Sequence, residues 1–136
     1  MTHTILHPPG WAPAKGYANG IAASGRTIFV GGQIGWESDQ VFRAHDFIGQ
    51  MRQCLRNIVA VVEAAGGAPA DIVRLTWYVK DKSDYLANPR AVGETYREVL
   101  GRNFPAMTMV VVRDLIEDEA LLEIEATAVV PTDART

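Results

Sequence analysis

Apolar and polar side chains alternate along residues 73–80, and this alternation is the clearest pattern in the chain. Val73, Leu75, Trp77 and Val79 are separated by single polar or amphipathic residues. A period of two with β-branched and aromatic side chains is typical of a strand that buries one face. We therefore predict a strand here, with its apolar face against a hydrophobic core.

A helical period replaces this alternation between about residues 44 and 65. The apolar positions recur at steps of three and four and are Phe47, Met51, Cys54, Leu55, Ile58, Val61, Val62 and Ala65. This spacing predicts one long helix with a single apolar stripe. Gly66 and Gly67 follow as a stop signal, so we predict that the helix ends there.

A second helix is predicted to begin at Tyr85 or at Pro89 and to end near Leu100. Either start fits, because proline is tolerated in a first helical turn. Nearer the N-terminus, two short β candidates at about residues 18–23 and 27–31 flank a Ser-Gly-Arg turn. A glycine there suits a tight hairpin, so we predict that these two runs pair antiparallel.

The last two β runs differ in polarity. Residues 107–112 leave both faces of an extended strand largely apolar, which requires cover on both faces. Residues 122–130 instead place Glu123 and Glu125 on one face and apolar side chains on the other. One face of this last strand is therefore expected to meet water or to line a polar site.

The element order β-β-α-β-α-β-β predicts an α+β fold in which the helices pack on a β-sheet. A chain of 136 residues with 48% hydrophobic residues can bury one core, so we expect a single domain over residues 1–136. The other sheet face has no remaining element to cover it. Because apolar burial is worth ~25 cal/mol per Å², we expect copies of the chain to associate through that face. A monomer with a partly exposed β face is the alternative.

Composition and the chain ends narrow the range of partners. The formal charge of -3, a pI near 5.5 and singly scattered basic residues argue against a nucleic-acid partner. No segment has the ~20 apolar residues of a membrane span and no secretory leader is visible, so a cytoplasmic protein without membrane contact is expected. Residues 1–13 and 131–136 are expected to be loose, and His3 and His7 fall in the first of these, so no metal site is expected. Cys54 lies in the helical stripe and is expected to be a core thiol.

Motifs in a characteristic order run through most of the chain. They are Gly16-Tyr17-Ala-Asn-Gly20, Phe29-Val-Gly-Gly-Gln-Ile34, Asn57-Ile-Val-Ala-Val-Val-Glu-Ala-Ala-Gly66, Asp71-Ile-Val-Arg-Leu-Thr-Trp-Tyr-Val-Lys-Asp81, Asn103-Phe-Pro-Ala106 and Leu122-Glu-Ile-Glu-Ala126. Together they resemble the Rid family, also called YjgF/YER057c/UK114. The resemblance implies a chorismate-mutase-like (YjgF-like) fold, in which a mixed β-sheet carries two helices on one face. It also implies a homotrimer whose sheets form a central barrel. It also implies ligand sites between subunits and cofactor-independent hydrolysis of small imines.

The resemblance also implies roles for individual residues. Relatives that hydrolyse 2-imino acids use a glutamate and a backbone group to position water, a tyrosine to close the pocket and an arginine to bind the carboxylate. Aligned motifs imply that Glu123 is the catalytic glutamate, that Tyr17 closes the pocket, and that backbone groups near Gly32 and Met109 face the ligand. Met107 stands at the arginine position, and a thioether cannot replace a bidentate guanidinium. The chain therefore resembles a divergent member without the usual carboxylate clamp.

Other cations could reach such a cleft from the same or a neighbouring subunit. The candidates are Lys15, Arg74, Arg90 and Arg102, whereas Arg113 would lie about 20 Å from position 107 along one strand. Gly31 and Gly93 also depart from the family pattern, since they stand where a serine and, nearby, an asparagine are common. These departures indicate a rebuilt pocket.

The rebuilt pocket is expected to be apolar, because Met107 and Met109 together with Trp36 and Trp77 offer adaptable and aromatic surface. Plain core packing is the alternative, and we favour it for Met109 and Trp77. Tyr17 is equally compatible with a lid and with packing.

Three functional hypotheses follow from these observations. The leading one is hydrolysis of a reactive imine or enamine to a carbonyl compound and ammonia, with a substrate unlike the usual 2-imino acids. The alternative is a non-catalytic trimer that binds a small metabolite between subunits. Ribonuclease activity, known for some relatives, is a third, and the acidic pI argues against it.

Overall fold

A computed structural model describes residues 3–132. In chain order the elements are β1 (His3–Leu6), β2 (Gly20–Ala23), β3 (Arg26–Ile34), α1 (Phe47–Ala64), a 3₁₀ turn (Pro69–Asp71), β4 (Ile72–Val79), α2 (Lys82–Leu86), α3 (Pro89–Leu100), β5 (Ala106–Val111) and β6 (Leu122–Val130). The main sheet has the order β3-β6-β4-β5 and is mixed, because β4 and β5 are parallel while the other pairs are antiparallel. The predicted α+β class and the mixed sheet are confirmed.

The long helix α1 forms where the apolar period predicted it. The side chain of Asp46 caps its first turn by accepting a hydrogen bond from the Gly49 amide at 3.3 Å. At the other end Gly66 adopts a φ of 81°, and the Gly67 amide donates to the carbonyl of Val62 at 3.0 Å. A left-handed glycine with this bond pattern is a common helix stop, so the predicted end is confirmed.

Both starts proposed for the second helix are used, because the segment forms two helices. Helix α2 ends at Leu86, and α3 begins at Pro89 after Asn88 caps it through the Ala91 amide at 3.1 Å. The proline occupies the first turn, where its missing N–H costs nothing. The short α2 places Tyr85 against Trp77 of the sheet, with ring centroids 6.4 Å apart.

Both long helices contribute to one core against the same face of the sheet. Leu75, Trp77 and Val79 of β4 are buried there with Leu122 and Ile124 of β6. The strand predicted at residues 73–80 is thus confirmed, except that a register shift after Ile72 buries that residue instead of Val73. None of the helices within residues 3–132 is long and apolar enough to cross a bilayer.

The predicted hairpin between β2 and β3 is wrong. Strand β2 pairs antiparallel with β1, and a bridge between Ala18 and Ala106 attaches this pair beside β5, at the opposite edge of the sheet from β3. Gly25 redirects the chain between the two sheets with a φ of 146°, and its backbone packs against the Val130 carbonyl. The error arose because residues 1–13 were expected to be loose, whereas 3–6 form the missing partner strand. Residues 1–2 and 133–136 lie outside the described part.

The second face of the sheet is more polar than the sequence predicted. Met107 and Met109 point to the helix side, where they pack against the core. The second face carries Arg74, Thr76, Tyr78, Phe29, Thr108, Val110, Glu123, Glu125 and Thr127. Phe29 is 80% exposed there, so an apolar patch remains within a largely polar surface.

Candidate functional site

Two of the cavities lie against opposite faces of the main sheet. Strand β4 separates them, because Trp77 faces the helices while the next residue, Tyr78, lies on the other face and is paired in register with Glu123. We call the cavity on the helix side the aromatic cavity and the one on the other side the Glu123 groove. Each holds part of the predicted site.

The aromatic cavity has a volume of about 310 Å³, at the lower end of the range for small-molecule sites. Its lining comprises Lys15, Gly16, Tyr17, Trp77, Tyr85, Pro89, Val92, Gly93, Tyr96, Arg97, Phe104, Met107 and Met109. The rings of Tyr96 and Phe104 stack with centroids 5.6 Å apart, which makes one rigid wall. The cavity therefore offers a mostly apolar space with a few polar groups at its edge.

The loop that carries Tyr17 is held at the edge of this cavity. Gly16 takes a φ of 78°, a left-handed conformation that residues with a side chain rarely adopt. Two residues later, the Ala18 amide anchors the loop by donating to the Pro105 carbonyl at 3.0 Å. Tyr17 itself is 42% exposed while it lines the cavity. Its position fits a side chain that shields a ligand more than one that fills the core.

Tyr96 serves as a wall of the cavity and not as a proton acceptor. Its hydroxyl donates to the Asn103 carbonyl at 2.6 Å, and burial raises the pKa of Tyr96 well above its usual range. Trp77 differs from Tyr96 in its hydrogen bonding, because its buried indole N–H has no partner among residues 3–132. A buried donor without a partner costs about 1–3 kcal/mol, and Trp77 is also part of the cavity lining.

The Glu123 groove forms around a β-bulge in β3. Val30 pairs with Ala126 and Gln33 with Ile124, so Gly31 and Gly32 together face a single residue of β6. The carboxylate of Glu123 lies directly over Gly32, where an added Cβ would overlap its Oε2 and would lie 2.9 Å from its Cδ. The absence of a side chain at Gly32 is what admits the carboxylate to this position.

The other carboxylates of the groove are already engaged. Tyr78 donates its hydroxyl proton to Glu125, and this hydrogen bond raises the pKa of Tyr78. The Leu115 amide at 2.9 Å and the Lys80 ammonium at 3.3 Å hold the pKa of Asp114 below its usual range. Within the described chain Glu123 makes no such hydrogen bond or ion pair, which leaves it free to bind water or a ligand.

The five residues that the sequence assigned to the site thus fall into two groups. Tyr17, Met107 and Met109 line the aromatic cavity, whereas Gly32 and Glu123 form the groove on the other face. A single copy of the chain does not bring the two groups into one cavity.

The structure also changes the remaining expectations for the pocket. Trp36 was expected to contribute, but it packs on Phe42 in a separate cluster, with ring centroids 5.8 Å apart. Of the candidate cations Lys15 lines the aromatic cavity, while Arg74 lies on the other face and Arg90 pairs with Glu94 at 2.8 Å.

Sequence reasoning missed two residues at these sites. Tyr78 could have been found, because its parity in β4 places it beside Glu123 on the polar face. Arg97 lines the aromatic cavity, and the only signal was its position one helical turn after Gly93.

Two further expectations concern reactive groups. Cys54 is completely buried and burial raises the pKa of its thiol, so it is a core residue, as predicted, and not a nucleophile. Among residues 3–132 no group of three or more His, Cys, Asp or Glu side chains is arranged to hold a metal ion.

Comparison with known proteins places this geometry in a family. Residues 9–130 match the sequence model of the family described as Endoribonuclease L-PSP. The 2-iminobutanoate/2-iminopropanoate deaminase of Salmonella typhimurium is 36% identical over 129 residues, which span 95% of this chain and 98% of the relative. This chain belongs to the Rid family. A Rid protein of unknown function from Yersinia pestis has the same fold, with a TM-score of 0.85, 32% identity and coverage of 96% of this chain and all of the other.

A third relative, TdcF of Escherichia coli, was solved with bound serine. It is 30% identical to this Rid chain, with a TM-score of 0.67 and coverage of 95% and 97% of the two chains. The YjgF-like fold expected from the sequence motifs is therefore confirmed by structures of Rid proteins.

Proposed function

We propose that this Rid protein hydrolyses a reactive imine or enamine to a carbonyl compound and ammonia, without a cofactor. Imine deamination is supported at the level of the family by relatives named 2-iminobutanoate/2-iminopropanoate deaminase. The observation that carries the proposal for this chain is the unpaired carboxylate of Glu123 over Gly32. A carboxylate in this state can take a proton from water and pass it to a leaving amine.

The proposed site forms between copies of the chain. Because the aromatic cavity and the Glu123 groove lie on opposite sheet faces, the groove of one copy would meet the aromatic cavity of the next. The partly apolar second sheet face, with Phe29 exposed, supports this association. A closed ring of three copies is the assembly implied by the family resemblance. In such a ring every Glu123 groove would face the aromatic cavity of a neighbouring copy.

The reaction consumes one water and releases one ammonia. Glu123 accepts a proton from a water held between its carboxylate and the backbone near Gly32, the water oxygen bonds to the carbon of the protonated imine, and the π electrons of the C=N bond pass to the nitrogen. The protonated Glu123 then gives its proton to the amine nitrogen of the tetrahedral intermediate, the carbon–nitrogen bond breaks, and ammonia leaves as the hydroxyl group loses its proton and becomes the carbonyl oxygen. Glu123 returns to its starting state because it both receives and donates a proton.

The test is ammonia release from a panel of imines and enamines, measured for the wild type, Glu123→Gln and Glu125→Gln. Glu125 is a matched control, because it lies on the same face of the same strand but is bonded to Tyr78. We expect Glu123→Gln to lose about 10²- to 10⁴-fold in rate, the usual contribution of a positioned acid–base group, and Glu125→Gln to lose far less. Equal rates for folded wild type and Glu123→Gln would contradict the proposal.

A non-catalytic binding protein is the second candidate. The aromatic cavity with Met107 in place of an arginine favours it, as does the relative that was solved with bound serine. Ligands that raise the melting temperature without any turnover would support this candidate over the enzyme.

A further inference from the structure

Arg97 and Lys15 are two cations that line the aromatic cavity without a counter-ion among residues 3–132. The side chain of Arg97 is exposed and lines the cavity beside Lys15 and Tyr17. Within residues 3–132 neither Arg97 nor Lys15 makes a side-chain hydrogen bond or an ion pair. An arginine in the last turn of a helix also suits the helix dipole, but this does not require the guanidinium to line a cavity.

The acidic side chains of α3 are directed elsewhere. Glu94 pairs with Arg90 at 2.8 Å, and Glu98 pairs with Arg52 at 2.8 Å and with Arg56 at 3.3 Å. The exposed guanidinium of Arg97 therefore has no hydrogen-bond acceptor within residues 3–132, although it borders an apolar space. A group that carries a negative charge would satisfy the guanidinium donors with two parallel hydrogen bonds.

Gly93 provides the room for this arrangement. The position of an added Cβ at Gly93 lies 3.1 Å from Nη1 and 3.8 Å from Cζ of Arg97, so the guanidinium rests on the bare helix backbone. A longer side chain at position 93 would displace it. The cavity thus combines a methionine at position 107, a glycine at position 93 and a cation that approaches from α3.

The lining fixes the kind of molecule that the cation would hold. Beyond Arg97 the walls are the rings of Tyr96, Phe104 and Tyr85 together with the thioethers of Met107 and Met109. Thioethers and aromatic rings adapt to bulky apolar groups. A ligand with a charged head at the edge and a large apolar or aromatic tail inside matches both parts.

We propose that Arg97, assisted by Lys15, binds the carboxylate of the substrate, and that the substrate class is 2-imino acids with large apolar or aromatic side chains. This rests on the proposed function, since it assigns the substrate of the same site. The residue that binds the carboxylate would then lie on α3, at Arg97, and not on β5. The space beside Met107 would be available to the side chain of the substrate.

Binding of two unreactive probes tests the assignment separately from catalysis. The probes are 3-phenylpropanoate and 3-phenylpropanamide, which differ in charge but hardly in shape, and binding is measured by calorimetry on the full chain. We expect the wild type to prefer the carboxylate, and Arg97→Met to weaken the carboxylate by about tenfold or more while the amide changes little. Arg90→Met is the matched control, because it removes the same charge from the same helix outside the cavity.

Arg97→Lys sharpens the result, since it keeps the charge but loses the bidentate geometry. It should fall between the wild type and Arg97→Met for the carboxylate. A wild type that binds neither probe, or an Arg97→Met variant that binds the carboxylate as the wild type does, would overturn the assignment. So would equal weakening of both probes.

The two proposals fail in different ways. Carboxylate binding that depends on Arg97, with no ammonia release from any imine, would support the role of Arg97 and contradict the proposed hydrolysis. Ammonia release that depends on Glu123 but is the same for Arg97→Met and the wild type would support the hydrolysis and contradict the role of Arg97.

Discussion

The aromatic cavity and the Glu123 groove are built against one sheet but offer different chemistry. Counting partners within residues 3–132, the aromatic cavity supplies apolar volume and two unpaired cations, whereas the groove supplies one unpaired carboxylate over a backbone bulge. In the aromatic cavity Tyr96 cannot serve as a base, because burial raises its pKa and its hydroxyl donates to the Asn103 carbonyl. The Glu123 groove has the free carboxylate and a lining of mixed polar and apolar groups. The proposed reaction therefore needs both the cavity and the groove.

The largest expected effect comes from closing the groove at Gly32. In Gly32→Ala the new methyl group would overlap the carboxylate of Glu123, so the base must move and the rate of ammonia release should fall by about 10²-fold or more. Gly31→Ala is a matched control, because nothing lies within 4 Å of an added Cβ at that position. Similar losses in both variants would show that the bulge, and not the carboxylate, determines the rate.

A smaller effect is expected from changing the aromatic cavity at Met107. Met107→Arg returns a cation to β5 and fills space that a bulky side chain would use. We expect about a tenfold gain with 2-iminobutanoate relative to the imine of phenylalanine, in line with one charge-assisted contact. Rates for both imines, formed in situ by an amino-acid oxidase, measure this ratio. An unchanged ratio would contradict a role of position 107 in selecting substrates.

Gly93→Ala should separate stability from binding at the edge of the same cavity. Alanine in a helix is favoured over glycine by about 0.5–1 kcal/mol, so chemical denaturation should give a higher free energy of unfolding. The added methyl group would lie 3.1 Å from Nη1 of Arg97, so carboxylate affinity should drop slightly at the same time. A gain in affinity would contradict the contact between Gly93 and the guanidinium.

The smallest effect concerns the ion pair at the end of the Glu123 groove. The pKa of Asp114 is lowered in the folded chain, so its contribution to stability is present above the unfolded pKa of about 3.9 and is lost as the pH falls through the folded value. Asp114→Asn should therefore lower the free energy of unfolding slightly at pH 7 and not at pH 2. Denaturant titrations of both proteins at the two pH values measure this, and a difference that persists at pH 2 would contradict the ionic origin.

Local patterns in the sequence accounted for most of the fold. The period of α1 and its stop at Gly66, and the alternation of β4, depend on neighbours in the sequence and were predicted correctly. The pairing of β2 with β1 was not, because two four-residue strands 13 residues apart give little periodic signal. Strand pairing is decided by contacts that a single run of residues does not reveal.

The candidate site was harder to predict for the same reason. Gln50 was not singled out from the sequence, yet it is buried, donates to the Glu119 carbonyl at 2.9 Å and accepts from the Leu121 amide at 2.8 Å, which fixes the approach to β6. Motif positions found Glu123 and Gly32, which meet across adjacent strands. Arg97 was missed because its place at the cavity depends on the bare backbone of Gly93.

The central claim is that one site takes its base from one copy of the chain and its binding cavity from another. Mixed oligomers of Glu123→Gln and Met107→Trp test it most directly, since the first lacks the base and the second fills the aromatic cavity with an indole. Each variant alone should be nearly inactive, and refolding them together should restore about a quarter of wild-type ammonia release, because random mixing pairs two intact halves at that frequency. Activity no greater than the sum of the two folded parents would contradict the account.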